Sequence, residues 1–87
     1  MQKKTFIIKE EYGIHARPAA KIVQTCQQLN SKVTLCSECK EADGCSILQV
    51  LLLAAGNGAP IEVRVEGGDE DVAMAEMTVL FDNGSGI

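Results

Sequence analysis

The chain has 87 residues with 12 acidic against 8 basic side chains, a formal charge of −4, which argues against a nucleic-acid partner because phosphate neutralisation needs a clustered Lys/Arg footprint. The length suits one domain spanning 1–87, and a hydrophobic fraction of 46% with only 3% aromatic residues calls for a small core of Ile, Val, Leu, Ala and Met. No apolar run approaches the roughly 20 residues of a membrane span, and MQKKTFIIKEEYG lacks the apolar run of about 7 to 15 residues of a secretory signal. A soluble, cytoplasmic protein without membrane insertion is therefore expected.

In chain order, Thr5–Lys9 (TFIIK) is short and rich in β-branched and aromatic residues, and predicts a strand that stops at the charged EEYG. From His15 onward, Ala16, Ala19, Ala20, Ile22, Val23, Cys26 and Leu29 fall on a helical repeat, with Lys21, Gln24, Gln27 and Gln28 on the other face. Pro18 is compatible only with the first turn of that helix, where the backbone N–H has no intrahelical partner to lose, so the helix starts at residue 15 or 16. Lys32–Cys36 alternates as a second strand, and Cys39–Ala42 returns as a short third one.

Asp43-Gly44-Cys45-Ser46 is a turn ending in a capping residue, followed by a short helix through Ile47, Leu48, Val50, Leu51 and Leu52 that is apolar on more than one side. Pro60–Glu66 alternates strictly, with Ile61, Val63 and Val65 on one face and Glu62, Arg64 and Glu66 on the other, so one face of its sheet is wet. Acids at 69–71 open a third helix over Val72–Phe81, with Ala73, Met77 and Leu80 inward, and the tail from 81 to 87 is expected to fray. Strand, helix, strand, strand, helix, strand, helix predicts an α+β fold: a four-stranded antiparallel sheet covered on one face by three helices.

Four cysteines, Cys26, Cys36, Cys39 and Cys45, include one Cys36-Ser-Glu-Cys39 pair with metal or redox spacing. A structural zinc site needs a second such pair, and Cys26 and Cys45 do not form one, so free thiols and no metal or other cofactor are expected. A small redox or metal module built on Cys36 and Cys39 is the reading this sets aside.

GIHARPAA, Gly13–Ala20, carries the chemistry. Its His15, the one histidine of the chain, stands at a helix start, where unpaired N–H groups and the helix dipole favour an anionic group, a phosphoryl group on the imidazole included. Arg17, in the same first turn, has the planar fork that pairs with phosphate oxygens. Ala16, Ala19 and Ala20 keep the surroundings low, so another protein's active site can approach. The rival reading is an exposed, idle histidine.

GIHARPAA followed by KIVQ resembles the active-site signature of the HPr family, the histidine-containing phosphocarriers of the bacterial phosphoenolpyruvate:sugar phosphotransferase system, and the resemblance runs over about residues 2 to 84. It implies an open-faced β-sandwich of βαββαβα order. It implies a transient phosphohistidine at Nδ1 of His15, with Nε2 outside the reaction, Arg17 pairing the phosphate and Pro18 starting the helix. The implied partners are enzyme I, which supplies the group from phosphoenolpyruvate, and the sugar-specific IIA domains that take it. Such a protein is a carrier, not a complete enzyme, and is usually a monomer.

SILQVLLLAAGNGAPI resembles the family segment with a regulatory serine, which here is Ser46. In Gram-positive relatives a kinase phosphorylates that serine, weakening transfer from enzyme I and recruiting a catabolite-control transcription factor. A simple N-cap is the structural alternative for Ser46. Ile47 or Val50, and Leu51 in part, are expected in the core. The resemblance implies an apolar docking patch of Ala16, Ala20, Ile47, Leu48 and Leu51 beside His15, with Leu48 the foremost contact. Many relatives carry basic residues around this patch where Gln24, Gln27, Cys45 and Gln49 stand here, which lowers electrostatic steering of an acidic partner. The competing functional reading is an HPr-like regulatory paralogue in carbon or nitrogen control, acting through Ser46 or through binding.

Overall fold

Alternating apolar residues build one sheet, and helical repeats cover one side of it. The computed structural model describes residues 1–9 and 11–82. Its elements are β1 (Gln2–Ile7), α1 (Ala16–Gln27), β2 (Ser31–Ser37), β3 (Lys40–Asp43), α2 (Ile47–Leu52), β4 (Pro60–Gly67) and α3 (Glu70–Asp82), the expected order. The strands pair antiparallel in the spatial order β1-β4-β2-β3, so the last strand in sequence lies between the first two.

In β4, Ile61, Val63 and Val65 are fully buried under the helices. Register places Phe6 opposite Ile61, Val33 opposite Val65 and Leu35 opposite Val63, so cross-strand apolar pairs form the floor of the core. On the open face Arg64 pairs with Glu62 at 2.5 Å and reaches Glu41 at 3.9 Å. That ion pairing lets a strand rich in charge lie flat against water.

Several boundaries differ from expectation for physical reasons. β1 begins at Gln2 and ends at Ile7, not Thr5–Lys9, because pairing with β4 runs from Gln2↔Val65 to Ile7↔Pro60. Its lysines hid this: Lys4 is on the helix side, with its ammonium 5.1 Å from the Phe6 ring and 3.4 Å from the Thr78 hydroxyl, so its charged tip emerges at the edge. β3 starts at Lys40 because Glu38 (φ 47°) and Cys39 (φ 66°) form the two-residue turn between Ser37 and Lys40.

The buried side of α1 is Pro18, Ala19, Ile22, Val23 and Cys26, whereas Ala16, expected on the apolar face, is exposed. It precedes the first inward position, which Pro18 fills. Ala73, Met77 and Leu80 of α3 are buried as expected, together with Met74 and Phe81. Phe81, where the expected third helix meets the tail expected to fray, is ordered: it stacks on Phe6 with ring centroids 5.0 Å apart, and α3 continues to Asp82. Burial of a phenyl ring in such a contact stabilises by about 3–5 kcal/mol against truncation to alanine. Residues 83–87 of that tail lie outside the described residues. Among the described residues no helix is long and apolar enough to cross a membrane.

Candidate functional site

His15 is the N-cap of α1. Its backbone is extended (φ −112°, ψ −165°), its carbonyl accepts the first intrahelical bond from Ala19 N–H at 2.9 Å, and its imidazole makes no cap hydrogen bond. Pro18 is buried in the same turn, where its missing N–H costs nothing. Arg17 is exposed, and among the described residues no hydrogen bond or ion pair holds its guanidinium. The first turn has no acidic residue, so the partial positive charge of the helix start is uncompensated on the helix itself. The N–H groups of Ala16 and Arg17, the half-buried imidazole and the Arg17 side chain therefore meet at one helix end.

The loop leading into His15 is fixed by the segment after α2. Ile8 N–H donates to Ala59 O at 3.0 Å, Gly58 N–H to Ile8 O at 2.8 Å, the Asn57 side-chain amide to Lys9 O at 3.3 Å, and Ile14 N–H to Ala55 O at 2.9 Å. Gly13 has φ +72°, and a Cβ there would lie 2.5 Å from Ala55 O and 2.7 Å from Gly56 Cα, so only glycine fits. Tyr12, which sequence reasoning passed over, stands edge-on to His15 with ring centroids 6.2 Å apart and planes at 77°. Its only sequence signal was proximity to His15.

Ser46 caps α2, its hydroxyl accepting from Gln49 N–H at 3.3 Å. The Gln49 side chain reaches back to Asp43 N–H at 2.9 Å, a variant of the reciprocal capping box, and the Asp43 carboxylate accepts from Cys45 N–H at 2.9 Å. Ser46 is half-buried. Val50 is the buried residue of this helix, while Ile47, Leu48, Leu51 and Leu52 are exposed by 44%, 65%, 37% and 64%. Leu51, expected in the core in part, is the least exposed of these four, and Leu53 and Ala55 just after the helix are buried in the core. Leu52 joins the exposed patch, which the sequence reading had confined to Ala16, Ala20, Ile47, Leu48 and Leu51. Ala20 is half-buried and Ala16 exposed on α1, and α1 packs against α2. Gln24 and Gln27 are exposed on α1, as are Cys45 and Gln49 beside Ser46.

The cysteines are free thiols in four different settings: Cys26 buried, Cys36 half-buried on the open sheet face, Cys39 exposed in the β2–β3 turn and Cys45 exposed before α2. Burial, then the neighbouring Cys45 and Asp43, pushes the Cys26 thiol up to about 12. Partial burial also raises Cys36 and Cys45. Among the described residues no three His, Cys, Asp or Glu side chains gather as a metal ligand set. A concavity of about 350 Å³ on the open face, lined by residues such as Thr5, Cys36, Cys39, Glu62 and Arg64, includes none of the residues around His15. A side chain that offers a group to another protein's active site needs no pocket of its own.

Comparison with known proteins agrees with this fold. The family described as "PTS HPr component phosphorylation site" matches residues 2–83. The chain is 41% identical over 83 residues to the phosphocarrier protein HPr of Xylella fastidiosa (strain 9a5c), covering 95% of this chain and 93% of that one. It is 40% identical to the phosphocarrier protein HPr of Treponema pallidum, covering 95% and 94%. The crystal structure of HPr-C-His from Thermoanaerobacter tengcongensis superposes with a TM-score of 0.90 at 31% identity, covering 95% of this chain and 93% of that one. With the fold, the motif and its own relatives in agreement, the chain belongs to the HPr family of phosphocarrier proteins of the phosphotransferase system.

Proposed function

We propose that this protein accepts a phosphoryl group on Nδ1 of His15 from phosphorylated enzyme I, and ultimately from phosphoenolpyruvate, and passes it to sugar-specific IIA domains in the cytoplasm. The observation that carries this reading is the meeting of His15 and the exposed Arg17 at the open N-terminus of α1. In the transfer, the Nδ1 lone pair attacks phosphorus as the donor's bond to phosphorus breaks and the donor group leaves with that electron pair. Nε2 stays outside the reaction. Charge on the moving group is spread over its oxygens, where Arg17 and the first-turn N–H groups oppose it.

The patch of Ile47, Leu48, Leu51 and Leu52, with Ala16 and Ala20, is the proposed docking surface, acting in a single copy of the chain. Ser46 is proposed as a cap that also takes a regulatory phosphate from a dedicated kinase. A phosphoserine there keeps an acceptor for Gln49 N–H, while adding negative charge beside the patch and the Asp43 carboxylate.

Intact-mass analysis after incubation with a bacterial enzyme I and phosphoenolpyruvate tests the carrier reading. One acid-labile phosphoryl group on the parent and none on His15→Ala is the expected result; an unlabelled parent beside an active control carrier would overturn it. Incubation with ATP and an HPr kinase, beside Ser46→Ala, tests the regulatory site in the same way.

A further inference from the structure

The geometry points to Tyr12 as a positioning residue for phosphoryl transfer, its ring holding the imidazole of His15 in the orientation that presents the reacting nitrogen. This rests on His15 being the phosphoryl acceptor. The two rings stand 6.2 Å apart between centroids and 77° from coplanar, within the range in which edge-to-face aromatic pairs attract. Tyr12 is 75% exposed, so core packing does not explain its place against His15.

The chain between the two rings is also fixed. Gly13 sits at φ +72°, where an added Cβ would lie 2.5 Å from Ala55 O and 2.7 Å from Gly56 Cα, and Ile14 is buried and hydrogen-bonded to Ala55 O at 2.9 Å. A rigid two-residue bridge keeps the phenol ring beside the imidazole, where a loose loop would let it swing into water. The contact therefore acts on a side chain whose angle decides whether donor, phosphorus and Nδ1 can fall in line. Orientation of that kind is a large part of what protein groups contribute to phosphoryl transfer.

An edge contact of this class biases ring orientation by about 2- to 13-fold. Because the bias exists in the free protein and in the complex alike, its loss lowers the turnover of the transfer step and leaves the half-saturating concentration for enzyme I unchanged. The ring supplies the contact, so phenylalanine serves in place of tyrosine.

The test compares the full-length parent, Tyr12→Ala and Tyr12→Phe by three measurements: thermal midpoint, NMR shifts of the His15 ring protons, and kcat and KM for labelling by phosphorylated enzyme I. Tyr12→Ala is expected to melt with the parent, to move the ring-proton shifts by removing the aromatic ring current, and to lose about 2- to 13-fold in kcat at unchanged KM. Tyr12→Phe is expected to match the parent in all three. Unmoved ring shifts, an unchanged kcat in Tyr12→Ala, or an equal loss in Tyr12→Phe would overturn the positioning role while the parent still labels. A parent that takes no label overturns the carrier reading, and this inference with it.

Discussion

Asp69 and Ser31 hold each other: the Ser31 hydroxyl donates to the Asp69 carboxylate, and the Asp69 N–H donates back to the same hydroxyl oxygen at 3.2 Å. With Asn30 N–H on the second carboxylate oxygen at 2.9 Å, the pair fastens the start of β2 to the residue before α3. The Ser31 hydroxyl first, and the Asn30 N–H second, hold the Asp69 carboxyl below its ordinary 3.8. Glu70 is likewise held below 4.5, by Gly67 N–H and then by the chain's N-terminal amine. Both folded-state values are depressed. Their contribution is therefore full above the ordinary carboxylate range and is lost as pH falls through the lower folded values. Melting curves against pH are expected to be flat down to about pH 5 and to fall below it, with a shallower fall in Asp69→Asn. An acid limb of equal slope in Asp69→Asn would show that the clamp is not its source.

Among the described residues no hydrogen bond or ion pair holds Arg17, so its removal should leave the fold alone and act only on the charged state. Arg17→Ala is expected to melt with the parent and to slow phosphoryl transfer by about 10- to 100-fold, the worth of a hydrogen bond to a charged group. Arg17→Lys recovers part of this, since it restores charge without the planar fork. Steady-state labelling rates with enzyme I measure both.

Exposure separates the residues of α2 by role. Leu48→Ser and Leu52→Ser, at side chains mostly in water, are expected to change stability by no more than about 0.5 kcal/mol. Val50→Ser places a hydroxyl in the core and removes buried methyls, at about 2–4 kcal/mol. The same leucine variants should raise KM for enzyme I, which denaturant titration combined with transfer kinetics resolves.

The β2–β3 turn puts Glu38 and Cys39 at positive φ, a backbone region that costs a side-chain-bearing residue about 1–2 kcal/mol. Cys39→Gly is expected to stabilise by about 1 kcal/mol, raising the thermal midpoint by about 4–8 °C. A lower midpoint would mean that the Cys39 side chain makes a contact worth more than the strain.

Thiol chemistry should follow burial. At about pH 8, iodoacetamide is expected to modify Cys39 first, then Cys45, and Cys26 only after unfolding, since a thiol held near 12 supplies almost no thiolate. Peptide mass spectrometry gives the order. Behind this lies a tight contact: a Cβ on Gly44 would lie 2.8 Å from Cys26 Sγ and 3.1 Å from Val33 O, so Gly44→Ala should cost about 1–3 kcal/mol and expose Cys26 to the reagent.

Features carried by local periodicity were legible in the sequence. The strict alternation of Ile61, Val63 and Val65, the position of Pro18 and the cap at Ser46 each have one physical explanation, and the structure has them where expected. What failed depended on partners distant in sequence. β1 starts at Gln2 because β4 pairs beside it, and Phe81 is held by Phe6. Tyr12 was missed for the same reason, since its contact with His15 depends on Gly13 being pinned to a loop more than forty residues away.

The place of β4 between β1 and β2 governs how the chain can fold as it is made. β1 and β2 have no partner in each other, and the strand that joins them is the sixth of seven elements to leave the ribosome. Until it arrives, Phe6, Val33 and Leu35 have no floor to pack into, and the nascent chain holds only the β2–β3 hairpin and marginal helices. Folding should then be post-translational and concerted, with exposed apolar strands available to chaperones during synthesis.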